Sequence, residues 1–343
     1  MLEFNELRSL MLATAKAKPQ ANTTYSFNGE NLTYNAMSTT LRAELNELVG
    51  TDALWRDNKN KVFTLLEETL DAVVPALVLE RYGDFAEIRT VAQGDKPVFK
   101  RRLGRERAKQ FVTRVGLAGV YEVFKLGEER FSVETSAIGG AVQIGFEEFL
   151  DGRVDFNELL EIMMEGMDAI VYLEIAKALN ASVNSVQPTN KKTGTTFEES
   201  KMDALVSIVS AYGTPVIYCT REFAATMVPA AGWVSENMRN DMWNKGYLAN
   251  YKGTQVIILP QSFTDNTNEH KVMAAENAWI VPAGTAGKPV KVVFEGTAHI
   301  REEQNHDWSR DLHTYQKVGV GVMMTPNIAV YTNESLKAET AQG

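Results

Sequence analysis

Asp155-Phe-Asn-Glu-Leu-Leu-Glu-Ile-Met-Met-Glu-Gly-Met-Asp-Ala-Ile-Val-Tyr-Leu-Glu-Ile-Ala-Lys-Ala-Leu-Asn180 is the stretch whose reading decides the fold. Apolar residues recur at Phe156, Leu160, Met163, Met167, Ile170, Val171 and Leu179, close to the helical repeat. Asp155 is a good N-cap, and Glu158 three residues on makes an acidic capping box. No proline interrupts the run, and Gly166 is its one glycine. The spacing predicts one helix over 155–180, a rod of about 38 Å at 1.5 Å per residue. Glu158, Glu161, Glu165 and Asp168 fall on one stripe of it. That stripe has two readings: the solvated face of a core helix, or a face offered to another subunit.

Working outward, the 343 residues suffice for one large domain or two ordinary ones, and 44% apolar content supports a sizeable core. A net charge of −9 argues against a general nucleic-acid coat and against binding anionic membranes. No apolar run reaches the length of a membrane span. Met1-Leu-Glu-Phe-Asn-Glu-Leu7 lacks the basic and apolar regions of a signal peptide. Cys219 is the sole cysteine and lies in the apolar run Val216-Ile-Tyr-Cys-Thr220, which predicts a buried, inert thiol.

In chain order, Phe4, Leu7, Leu10 and Met11 predict a short helix over 4–17, followed by a polar extended arm over 19–34. Met37, Leu41, Leu45 and Leu48 predict a helix that Gly50 stops. This first portion has too few large apolar residues to fold alone. Val62, Leu65, Leu66, Leu70, Val73 and Val74 predict a helix that breaks at Pro75. Residues 88–124 read as a long β-hairpin with a cationic tip: Lys100, Arg101, Arg102, Arg105, Arg107 and Lys109 surround Gly104. So long a ribbon has few partners in its own chain. Beyond the polar boundary at 185–199, helix and strand alternate: helices at 202–212 and 221–227, buried strands at 215–220, 255–260 and 278–281. That pattern predicts a compact α+β unit over about 196–285. The closing run, 290–332, reads mostly as strand.

The search for chemistry finds little. Gly319-Val-Gly-Val-Met-Met324 starts like a dinucleotide loop, but Met324 takes the place of its last glycine. Gly284-Thr-Ala-Gly-Lys-Pro289 fails as a phosphate loop, because Pro289 stands where Ser or Thr is needed. Asp265-Asn-Thr-Asn-Glu269 lacks the glycine of a calcium loop. His306, Asp307, Asp311 and His313 have the donor types of a metal site but sit in a polar connection between strands. No nucleophile elbow is present, and Cys219 has no His nearby in sequence to activate it. Neither a catalytic residue nor a cofactor or metal site is assigned. The cationic tip fits either phosphate or an acidic protein face. With no aromatic between Lys100 and Lys109 to stack a base, the protein contact is the stronger reading.

The order of these parts resembles the tailed-bacteriophage major capsid proteins of the Hong Kong 97 type. The resemblance spans nearly the whole chain. It is strongest locally in Val62-Phe-Thr-Leu-Leu-Glu-Glu68 through Tyr82-Gly-Asp-Phe-Ala-Glu-Ile88, and in Thr325-Pro-Asn-Ile-Ala329. It implies an α+β fold with an N-terminal arm at 1–60, P-domain parts at 61–87, 125–195 and 288–343, an E-loop hairpin at 88–124, and an A-domain at 196–287. Residues 155–180 match the spine helix of that P-domain. The resemblance implies a shell subunit that assembles with itself into pentamers and hexamers around double-stranded DNA, without sequence-specific binding. Portal, scaffolding or decoration proteins are then its further partners, the virion its destination and the host cytoplasm its place of assembly. Any removable N-terminal scaffolding segment would be short or already absent. On this reading Lys100, Arg101, Arg102, Arg105, Arg107 and Lys109 meet an acidic face on a neighbour, with Glu158, Glu161, Glu165 and Asp168 as candidates. Two rivals remain: an encapsulin-like compartment subunit, and a soluble α+β enzyme using the His306–His313 cluster.

Overall fold

The computed structural model describes residues 3–17, 23–27, 30–101, 129–144, 156–228, 235–264, 267–283, 288–304, 310–324 and 327–337. Helix α1 (Phe4–Lys16) opens the chain. The short hairpin β1 (Thr24–Phe27) and β2 (Glu30–Thr33) follows, with Tyr25 opposite Leu32. Helix α2 (Tyr34–Val49) starts where the Thr33 hydroxyl accepts the Ala36 N–H at 3.3 Å. It stops at Gly50, as its sequence predicts. Leu7, Leu10, Met11, Met37, Leu41 and Leu45 are buried in one cluster with Leu65, Leu66 and Leu70 of helix α3 (Asp52–Tyr82). The N-terminal portion thus buries its apolar face on its own chain. It does not fold alone: α3 supplies the rest of its core.

α3 also corrects the expected break at Pro75, which lies inside the helix. Pro75 cannot donate to the Asp71 carbonyl, a defect that costs about 3 kcal/mol. Leu70, Val73 and Val74 before it, with Val78 and Tyr82 after it, are all buried. Each buried aliphatic side chain contributes about 1.5–3 kcal/mol, so packing outweighs the lost hydrogen bond.

Two sheets carry the rest. In the four-stranded sheet, β3 (Ala86–Val91) runs parallel to β12 (Val290–Gln304); β12 pairs antiparallel with β13 (Arg310–Val322), and β13 with β6 (Ser136–Ile144). β4 (Val98–Arg101) and β5 (Glu129–Ser132) form a separate antiparallel ribbon. Helix α4 (Phe156–Ser182) lies over β13 and β6 and also meets α1 and α3. It buries Leu160, Met164, Met167, Val171, Tyr172, Ile175 and Leu179. Expected core residue Ile170 instead faces outward, and Met164 takes the inner position. Asp155 lies outside the described residues.

The six-stranded sheet has the order β7 (Lys191–Gly194), β14 (Ala329–Asn333), β11 (Asn277–Ala283), β8 (Thr214–Thr220), β10 (Thr254–Leu259), β9 (Asn250–Tyr251). Helices α5 (Glu199–Ser210) and α6 (Arg221–Thr226) pack on it, and α7 (Glu236–Lys245) precedes β9. β7 and β14 therefore join this sheet, although sequence order put them with the spine-bearing and C-terminal segments. The Tyr331 hydroxyl fixes them by donating to the Thr196 carbonyl at 3.1 Å and accepting the Glu198 N–H at 2.9 Å. Cys219 is fully buried in β8, and burial pushes its thiol up to about 12, an unreactive state at neutral pH. No described helix is long and apolar enough to cross a membrane.

Candidate subunit-contact surface

The ribbon's root is built on the four-stranded sheet. Phe99 of β4 is buried with Val133, Val293 and Met323, and Phe131 of β5 packs against them. Two cations flank the Phe99 ring: the Arg89 guanidinium at 4.6 Å and Lys291 Nζ at 5.3 Å. Lys291 is buried and ion-paired with Glu87, whose other oxygen accepts from Arg89 at 2.6 and 2.9 Å. Burial tends to raise the Glu87 pKa, but hydrogen bonds from Lys291 and Arg89 outweigh it and leave it lowered.

Glu295 ties both ends of the ribbon to the sheet. It accepts the Gly94 N–H, just before β4, at 2.9 Å, and the Thr135 hydroxyl, just after β5. Lys317 Nζ stands 3.5 Å away. Hydrogen bonds from Thr135 and then Gly94 lower its pKa. The two glycines of Gly319-Val-Gly321 make the seat for the root. A Cβ on Gly319 would stand 2.5 Å from the Glu134 carbonyl, and one on Gly321 2.9 Å from the Phe131 ring. The motif that sequence reading rejected as a cofactor loop is a bed for the ribbon.

The expected site residues fare differently. Lys100 and Arg101 lie on β4, opposite Arg130 and Glu129. Arg102, Arg105, Arg107 and Lys109 lie outside the described residues, as does the side chain of Glu158. Glu165 is exposed on α4. Glu161 is engaged within the chain, accepting the Tyr34 hydroxyl at 2.8 Å. Asp168 leaves the acidic face altogether: it is 2% exposed, paired with Arg81 and hydrogen-bonded by the Tyr82 hydroxyl at 3.0 Å. The reason is its position at the inner border of the stripe, turned toward α3. Burial, then the Asp168 charge, raises the Tyr82 pKa. Burial and this hydrogen bond make Asp168 a structural carboxylate rather than a contact residue.

His306 and Asp307 lie outside the described residues. His313 Nε2 is 3.7 Å from Glu303, and among the described residues no three His, Cys, Asp or Glu side chains converge to hold a metal ion. Sequence reasoning missed Glu87, Thr135, Lys291 and Glu295. Their partners are up to about two hundred residues away in sequence, so no local spacing marks them.

A protein-family model described as "SPbeta prophage-derived putative capsid protein YonB" matches residues 6–332. No curated protein matches the chain. Among solved structures, a virus-like particle from Pyrococcus furiosus is 11% identical with a TM-score of 0.43, covering 77% of this chain and 98% of its own. The holo-SrpI encapsulin complex of Synechococcus elongatus PCC 7942 is 10% identical, with a TM-score of 0.42 over 75% of this chain and 87% of the other. The capsid of cyanophage P-SCSP1u is 10% identical, with a TM-score of 0.47 over 74% and 87%.

Proposed function

This chain belongs to the YonB family of prophage-derived capsid proteins, and from that premise we propose how it works as a subunit of a phage head shell. Copies assemble into pentamers and hexamers of an icosahedral head of the Hong Kong 97 type, in the host cytoplasm, and enclose double-stranded DNA. Portal, scaffolding or decoration proteins are its other partners. The task is mechanical and not catalytic: the subunit must close a shell and hold it against the contents. The family match over residues 6–332 carries this reading.

The ribbon root supports it. A two-stranded ribbon is marginal alone, yet this one is anchored through Phe99 and Glu295. The cations at Arg101, Arg102, Arg105 and Arg107 reach an adjacent subunit, where Glu158 and Glu165 are the candidate acids of the stripe not engaged within the chain by Tyr34 or Arg81. Negative-stain microscopy and light scattering of the purified protein test the reading. Closed shells of uniform diameter are the expected result; species of only a few copies, at every salt and concentration tried, would overturn it.

A further inference from the structure

The two main sheets have four outer edges, and three are blunted against pairing. β9 is two residues long, β7 carries Lys191 and Lys192, and β3 carries Glu87 and Arg89. The fourth edge, β6, has none of these devices. It reads Ser136-Ala-Ile-Gly-Gly-Ala-Val-Gln-Ile144, nine residues with no charge and no proline. Among the described residues it pairs with β13 alone. Ser136, Ala137, Gly139, Gly140 and Ala141 are exposed. A long, uncharged edge presents a row of unpaired N–H and C=O groups, a template for another strand, and folded chains ordinarily charge it, shorten it or cover it.

We infer that β6 is covered by β6 of a second copy, the two strands running antiparallel about a two-fold axis at Gly140. Two points select this occupant. A strand that pairs with its own duplicate sets like charges near one another, and β6 has no charge to repel. Antiparallel self-pairing overlaps all nine residues only when the middle one, Gly140, lies on the axis, the geometry of an isologous contact. A Cβ built on Gly140 meets nothing within 4 Å, so this position also admits a side chain, whereas one on Gly139 would strike the Thr314 carbonyl and Tyr315 of β13. The inference rests on the shell-subunit reading, since a closed shell needs contacts between copies on several sides. It adds a main-chain contact independent of the cationic ribbon.

The test is a single cysteine. Gly140→Cys places a thiol opposite its own copy, and facing residues of antiparallel strands, about 4.5–5.5 Å apart at Cα, suit a disulfide. Cys219 stays silent because it is buried. Oxidised Gly140→Cys shells are expected to shift on a non-reducing gel from 38.1 kDa to twice that mass. Ala137→Cys shells should not shift, since the two copies of that residue stand about 20 Å apart in this register. Should Gly140→Cys fail to fold, Ala141→Lys reads the same contact. It should yield a folded subunit, by circular dichroism, that no longer closes shells. Monomeric Gly140→Cys in intact oxidised shells, crosslinked Ala137→Cys, or normal shells from Ala141→Lys would each overturn the inference. If the unaltered protein forms no shells at all, the shell-subunit reading itself fails, and this inference falls with it.

Discussion

The backbone N–H of Ala298 donates to Oδ1 of Asp71 at 2.7 Å. One helical turn earlier, Glu67 accepts the Ile300 N–H at 2.7 Å. β3 pairs with β12 only as far as Glu295. Beyond that point the register shifts through a bulge, where Gly296 adopts φ +72, and two carboxylates of α3 take the place of a missing strand. The Gln316 side-chain amide is a second donor to Asp71, at 3.3 Å.

Asp71→Ala should therefore lower stability by about 1.5–3 kcal/mol, the worth of a hydrogen bond to a charged acceptor. Burial, opposed by the Ala298 hydrogen bond and assisted by the Glu67 charge, raises the Asp71 pKa above its ordinary 3.8. The folded state thus holds the Asp71 proton to higher pH than the unfolded state, so stability from this group is lost as pH rises from about that ordinary value through the folded pKa. Asp71→Asn keeps a carbonyl for Ala298 and removes the titration. Urea unfolding from pH 3.5 upward should show a flatter profile for Asp71→Asn than for the parent.

Gly319→Ala should lift the ribbon root. Its Cβ would stand 2.5 Å from the Glu134 carbonyl and 2.9 Å from Val133, and one neighbour is backbone. Overpacking of this kind costs about 1–3 kcal/mol. Hydrogen exchange should accelerate in 94–101 and 129–135 while the six-stranded sheet stays protected. Uniform acceleration across the chain would refute a local seat.

Arg81→Ala should destabilise more than Asp168→Asn. Removing Arg81 leaves the buried Asp168 carboxylate with the Tyr82 hydroxyl as its remaining hydrogen bond, a loss of about 3 kcal/mol. Arg81 is half exposed, so the asparagine variant loses an ion pair that water already screens, about 1 kcal/mol. Denaturant midpoints of the two variants decide the order.

Reversing Arg101, Arg102, Arg105 and Arg107 together to Glu should leave the subunit folded and block shell assembly, or make it strongly salt-dependent. A single Arg→Ala change should be nearly silent, because one exposed pair contributes about 0.2–1 kcal/mol. Glu158→Lys with Glu165→Lys in the reversed protein should restore part of the assembly, read by light scattering against salt. Unchanged assembly of the quadruple variant would remove the tip from the subunit contact.

Sequence made the spine helix legible because its own apolar period survives in the structure, with a small rotation that exchanges Met164 for Ile170. Strands β8 and β11 were legible because both are short apolar runs, buried almost throughout. The continuity of α3 through Pro75 was hidden, since local chemistry favours a break and only tertiary burial overrides it. The fate of Asp168 was hidden for a related reason. Spacing puts it on the acidic stripe, and only the approach of Arg81 and Tyr82 turns it inward. Glu295 and its partners form no motif, because three separated segments meet there.

α3 has one more implication, in the language of mechanics. It is a strut about 46 Å long, and it grips β12 at successive levels: Trp55 and Lys59 hold Glu302, Glu67 holds Ile300, and Asp71 holds Ala298. The same β12 carries Glu295, the anchor of the ribbon. A pull on the ribbon therefore enters the subunit as shear along β12 and spreads over several bonds loaded in parallel. Such a joint yields only when many links fail together, so traction from outside should turn the strut and the strand as one stiff piece.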